Sequence, residues 1–121
     1  MRYKTGITNI KVLKKRISED FVVLLLIKAG FNIIARNFTF RYGQSGEIDI
    51  IACKDGKLVA VEVKCHKGEE TPFSSRQLIR IKLGLRLFLF KYRIKVPQTE
   101  IWGALCKIRG TKIYVRFIRL T

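Results

Sequence analysis

Acidic side chains are scarce in this chain: nine Asp and Glu stand against 25 Lys and Arg. Cysteine is scarce too. Cys53, Cys65 and Cys106 are odd in number and show no pairing pattern, which argues against a disulfide framework. The adjacent Cys65 and His66 lack the spaced ligand pairs of a zinc site, so neither reads as a metal ligand. His66 does fall on the strand face of Glu62 and Lys64, where it suits a phosphate contact. No Pro-, Gly- or Ser-rich linker divides the 121 residues, and no repeat or low-complexity tract interrupts them. One domain spanning 1–121, with a real core, is the expectation. A long hydrophobic run is also missing. "FVVLLLI" (21–27) is too short to span a bilayer. Glu19 and Asp20 before it, Lys28 after it and the lack of a small-residue cleavage site oppose a signal peptide. A buried helix in a cytoplasmic protein is expected instead.

What is present is basic and apolar together. Hydrophobic residues make up 48%, which excludes a disordered basic tail. The formal charge of +16 implies a polyanion-binding surface. Lys and Arg contacts to phosphate supply most non-specific nucleic-acid affinity. The charges are spread along the chain rather than gathered in a tail, which favours a folded basic face over a polybasic membrane anchor. Nucleic acid is the expected partner; a ribosome-like or merely basic protein is the competing reading.

Against that background, "GEIDIIACKDGKLVAVEVK" (46–64) is unusual, because three of the nine acids lie in its apolar strands. Asp55-Gly56 suits a two-residue type I′ loop, in which both central residues need positive φ. Lys54 then faces Lys57, Asp49 faces Glu62, and Glu47 faces Lys64. With side chains alternating, Glu47, Asp49, Glu62 and Lys64 share one face, and Ile48, Ile50, Val61 and Val63 form core on the other. Directly opposed residues have Cβ atoms roughly 5 Å apart, and like charges there destabilise. An Asp–Glu pair so placed needs a proton or a divalent cation between its carboxyls. Mg²⁺ takes hard oxygen ligands, often one or two carboxylates with water and phosphate. Lys64 would stand close enough to act on a water or a phosphate oxygen. The alternative is an ordinary sheet face, with a Glu47–Lys64 ion pair and Asp49–Glu62 relieved by nearby Arg or Lys.

Asp49 followed by Glu62-Val63-Lys64 resembles the PD-(D/E)XK nuclease signature. "GEIDIIA" with "VAVEVK", and upstream "SEDFVVLLLIKAGFNIIARNF", resemble the YraN family of small bacterial endonuclease-like proteins. The resemblance covers Ser18 to His66 well and the helix at 74–92 loosely. It implies a restriction-endonuclease-like core and Mg²⁺-dependent phosphodiester cleavage, with Mn²⁺ as a substitute. It also implies Asp49 and Glu62 as metal ligands, Lys64 as the catalytic lysine, and Glu19 as the helical acid that can join the metal. The chain departs from the family at His66, where an Arg is common, and at Gly103, where an Asp is common. Those departures admit a non-catalytic nucleic-acid-binding module as the alternative.

The remaining pattern predicts the order αβββαββ: an α/β fold with a mixed sheet flanked by helices. A first helix over 9–29 ends at Gly30 as its C′ residue. Leu13, Ile17, Phe21, Leu24 and Lys28 fall near helical spacing and Leu25 joins them, and beyond Phe21 the helix is apolar all round, which implies burial on several sides. Ser18 could instead be an N-cap, with Glu19 and Asp20 merely favouring the helix dipole. Strands follow at 31–40, 47–53 and 57–66, with loops at 41–45 and 67–73. In the latter, Glu69 and Glu70 read as solvated charges. A second helix runs from Ser74 or Ser75 to Tyr92. Leu78, Ile81, Leu85, Phe88, Leu89 and Tyr92 line one side. Ile79, Leu83, Leu87 and Phe90 form a second stripe that asks for another partner, in this chain or in a homodimer. Arg76, Arg80 and Lys91 share the remaining face and suit phosphate contacts. Late strands at 100–108 and 111–119 turn near Arg109-Gly110, with Trp102 in the core.

Overall fold

The Asp55-Gly56 turn fixes the centre of the molecule. In the computed structural model, which describes residues 10–65, 73–96 and 98–121, Asp55 and Gly56 have φ of 50° and 75°. Those values suit the type I′ loop. It joins β2 (Gln44–Lys54) to β3 (Lys57–Cys65) in the expected register, from Lys54 opposite Lys57 to Ile50 opposite Val61. The other elements are α1 (Ile10–Lys28), β1 (Asn32–Tyr42), α2 (Ser75–Lys91), β4 (Gln98–Arg109) and β5 (Lys112–Arg119). The chain order is αβββαββ, and the five strands lie in one sheet in sequence order. β3 and β4 are parallel and every other pair is antiparallel. A parallel pair needs a long crossover, and α2 lies within it.

Both faces of the sheet are covered. On one, α1 sends Val22 and Leu26 onto Ile50, Ala52, Val59, Val61 and Val63. On the other, Ile81, Leu85 and Phe88 of α2 pack on Ile48, Ile51, Leu58, Ala60 and Ile101. β3 is therefore buried from Leu58 to Val63 on both sides, which its unbroken apolar run requires. α2 approaches closely because Phe40 lies between two glycines. A Cβ on Gly46 or on Gly84 would fall inside van der Waals contact of the Phe40 ring.

Helix ends match their local chemistry. Gly30 has φ 95°; its N–H bonds Ile27 O at 3.0 Å, and Phe31 N–H bonds Leu26 O at 2.9 Å. This is the paired arrangement of a glycine-terminated helix. Ser74 caps α2 through its hydroxyl, which accepts from Gln77 N at 3.1 Å.

Several expectations are corrected. Residues 41–45 are not a loop: β1 and β2 run to Tyr42 and from Gln44, turning at Gly43 with φ 77°. The buried face of α1 is Ser18, Glu19, Val22 and Leu26, not the Leu13–Ile17–Leu24 stripe. Leu24 is 62% exposed, with Leu13, Ile17 and Ile27 also exposed. The apolar tract is thus buried on one side only, where Val22 and Leu26 pack on the sheet. Ser18 lies inside the helix and is not its cap, so Glu19 and Asp20 gain nothing from the helix dipole. Among the described residues no helix is long and apolar enough to cross a membrane. His66, Glu69 and Glu70 lie outside the described residues.

Candidate active site

The strand ladder fails on both sides of Asp49. Between β1 and β2, Arg36 pairs Ile50 and Phe38 pairs Ile48, but Asn37 and Asp49 between them do not pair. Between β2 and β3 the pairing stops at Ile50–Val61. Asn37 has φ 53°, a left-handed conformation that Asn tolerates better than most residues. At this break the strands change face. Ile50 packs toward α1, whereas Ile48, two residues away, packs toward α2. Ile48, Ile50, Val61 and Val63 are all buried, as expected, but not on one side.

Asp49 uses the gap. Its Oδ2 accepts the Val63 backbone N–H at 2.8 Å, in place of a strand carbonyl. Its carboxyl also hydrogen-bonds that of Glu62, and both are buried. Burial, the bond to Asp49 and the Asp49 charge raise the Glu62 pKa to about 9. Burial also acts to raise Asp49, but the bond from Glu62, the Lys15 charge and the Val63 N–H outweigh it and hold its pKa below the ordinary value. Burial and the shared hydrogen bond thus favour the protonated form of Glu62 and the ionised form of Asp49. Beside Glu62 on β4 stands Gly103, where a Cβ would come within 2.5 Å of the Phe73 ring. The aromatic cover explains why this chain carries glycine there, and no carboxylate from that strand joins the site.

Two residues complete the cluster that the sequence reading did not single out. Lys15, from α1, donates to Asp49 Oδ2 at 3.0 Å and to the Val63 carbonyl, and lies 3.9 Å from Glu19 Oε2. Asn37 Nδ2 donates to Glu47 Oε1 at 2.8 Å and to Glu19 Oε1 at 3.2 Å, tying α1 to β2. Burial, opposed by the Asn37 bond and joined by the Asp49 charge, raises the Glu19 pKa. Asp20, the next residue, pairs with Arg36 at 2.7 Å. Two signals were available: the i, i+4 spacing of Lys15 and Glu19, and an Asn inside a β-rich run, where Asn is depleted.

Glu19, Asp49 and Glu62 are thus brought together, with half-buried Lys64 near enough that its charge acts on Glu62. Glu47 does not stand in a ladder pair with Lys64; it is exposed and bonded to Asn37. Beside Glu47 opens a groove of about 670 Å³ lined also by Arg41, Ser45 and Arg80. Arg76, Arg80 and Lys91 are exposed on α2. Lys91 also stacks over Tyr92, 5.4 Å from the ring centre.

Residues 18–108 match the model of the uncharacterised protein family UPF0102. This chain belongs to that family. It is the YraN family, which the hairpin and first helix resemble. A UPF0102 protein of Helicobacter hepaticus is 40% identical over 79 residues, covering 61% of this chain and 68% of that protein. One from Nitratiruptor is 36% identical over 84 residues, covering 68% and 71%. Among solved structures, this UPF0102 chain is similar to Hjc, a Holliday junction resolvase from the archaeal hyperthermophile Archaeoglobus fulgidus. The TM-score is 0.55 at 22% identity, covering 86% of this chain and 75% of Hjc. At that identity the likeness establishes the restriction-endonuclease-like fold.

Proposed function

We propose that this UPF0102 protein is a Mg²⁺-dependent nuclease that cleaves phosphodiester bonds in DNA, at a site formed by Asp49, Glu62 and Lys64. The observation that carries the proposal is the pair of buried carboxyls, Asp49 and Glu62, hydrogen-bonded to each other where the strands part. The oxygens there already draw a cation, because the Lys15 ammonium lies against Asp49 and the Val63 carbonyl. Among the described residues no three acidic, His or Cys side chains form a cage by themselves. Mg²⁺ keeps several waters and needs few protein oxygens. Asp49 and Glu62 would hold the ion, with Glu19 within reach and Mn²⁺ able to substitute. Bound there, the ion would neutralise charge on the scissile phosphate and lower the pKa of the attacking water.

The chain's own groups do the rest. Asp49 is held ionised and aimed by the Val63 N–H. Glu62 would give its proton to water in order to serve as a ligand. Lys64 orients the attacking water or steadies the five-coordinate phosphorus. Arg76, Arg80 and Lys91, with Arg41 in the groove beside Glu47, contact backbone phosphates. The resolvase likeness makes branched DNA the first structure to test. A homodimer through α2 would place two such sites on one substrate.

A second reading has specific support. Gly103 stands where the family often carries an Asp, and Lys15 already neutralises Asp49. Both features fit a nucleic-acid-binding module that keeps a nuclease fold. Cleavage of duplex, nicked, branched and single-stranded DNA and RNA with Mg²⁺ or Mn²⁺ separates the two. The nuclease reading expects cleavage that Asp49→Ala and Lys64→Ala abolish while polyanion binding survives. Wild-type cleavage by purified Asp49→Ala would falsify the assignment.

A further inference from the structure

Lys15 is an unusual lysine in this molecule. Most of the described Lys and Arg side chains are exposed, whereas Lys15 turns its ammonium inward from the second turn of α1. It donates to Asp49 Oδ2 at 3.0 Å and to the Val63 carbonyl, with Glu19 Oε2 at 3.9 Å. A carboxylate oxygen, a backbone carbonyl and a nearby second carboxylate are also what a hard divalent ion takes. An ammonium is a compact point charge with three donors on a flexible stem. It can satisfy those oxygens, but it cannot share them with a second cation.

We propose that Lys15 is a tethered counter-cation that occupies the ion's place on Asp49 and Val63 and must be displaced before a divalent metal binds. The inference rests on the reading of Asp49 and Glu62 as metal-holding groups. Without metal, the ammonium holds Glu19 and Asp49 together by offsetting the repulsion between them. With metal, like-charge repulsion expels it to the mouth of the site, where its charge is available to phosphate. Metal affinity is therefore lowered by Lys15. By linkage, a polyanion that draws Lys15 outward tightens metal binding to the same degree.

Calorimetric titration with Mn²⁺ tests this on the full chain as wild type, Lys15→Met and Asp49→Asn. Loss of a charge-assisted competitor should tighten Mn²⁺ binding by Lys15→Met about ten-fold or more, and Asp49→Asn should lose binding. A second measurement needs no variant. Acetic anhydride labelling of the wild type, read by mass spectrometry against exposed Lys28, should find Lys15 protected without Mn²⁺ and reactive with it. Equal or weaker Mn²⁺ binding by Lys15→Met, or Lys15 reactivity that Mn²⁺ leaves unchanged, overturns the counter-cation while leaving the metal reading intact. If neither wild type nor Lys15→Met binds Mn²⁺, the metal reading fails and the counter-cation with it.

Discussion

Glu62 and Asp49 are the same chemistry in two states, and the difference sets a pH dependence. Unfolded, Glu62 titrates near 4.5; folded and metal-free, it keeps its proton to about 9. Between those values the folded state binds more protons than the unfolded, so stability falls as pH rises. The slope is at most about 1.4 kcal/mol per pH unit. Glu62→Gln keeps a neutral donor and removes the titration. It should leave stability unchanged below pH 4.5 and raise it increasingly toward pH 9. Urea unfolding of metal-free wild type and variant at pH 4, 7 and 9 checks this; a constant difference would mean that Glu62 is ionised in the fold. Asp49 has the opposite sign. Its pKa is lowered in the fold, so its contribution is present above 3.8 and lost as pH falls through the folded value. Asp49→Asn should therefore destabilise at pH 7 and do less harm in strong acid.

At the scale of elements, close approach decides what propensity does not. Gly84 lies in α2, where Ala is ordinarily better by about 1 kcal/mol. Yet its missing side chain makes room for Phe40, which Gly46 flanks from β2. Gly84→Ala should therefore destabilise, by about 1–3 kcal/mol as overpacking does, and Phe40→Leu should recover part of the loss. Thermal unfolding of the single and double variants measures the coupling, and simple additivity would show that the Phe40 contact does not set the cost. At the end of α1, Gly30 serves a different need. With φ 95° it closes the helix so that Phe31 returns to the core beside Leu26.

At the scale of the molecule, the charge of +16 and the apolar remainder of α2 make separate predictions. Binding to DNA without metal should weaken steeply with salt, because each phosphate contact releases counterions. Asp49→Ala should follow the same salt slope as wild type, since it lies outside that surface. Ile79 and Phe90 are 66% and 85% exposed, whereas Leu83 and Leu87 are half-buried. The second stripe of α2 is thus partly covered within the chain, and an interface would be centred on its two exposed members. Light scattering at micromolar concentration should give a dimer, with Ile79→Asp/Phe90→Asp a monomer of unchanged melting temperature. A wild-type monomer would remove the dimer.

What the sequence determined by itself was whatever short-range chemistry decides. Asp55-Gly56 set the hairpin register, Gly30 and Ser74 marked helix ends, and alternation placed Asp49 beside Glu62. The order of elements followed from those signals. The rest depended on approach between segments distant along the chain. A tract as apolar as 21–27 offers several possible faces, and only docking on the sheet selected Val22 and Leu26. Strict alternation could not foresee that Asn37 and Asp49 would leave their ladders, and so divide Ile48 from Ile50. Lys15 and Asn37 joined the site because α1 crosses the strands at that break. Gly103 was legible as a departure, but its reason, the Phe73 ring over it, exists only in three dimensions. The raised pKa of Glu62 likewise comes from burial and from a partner 13 residues away, which no local pattern records.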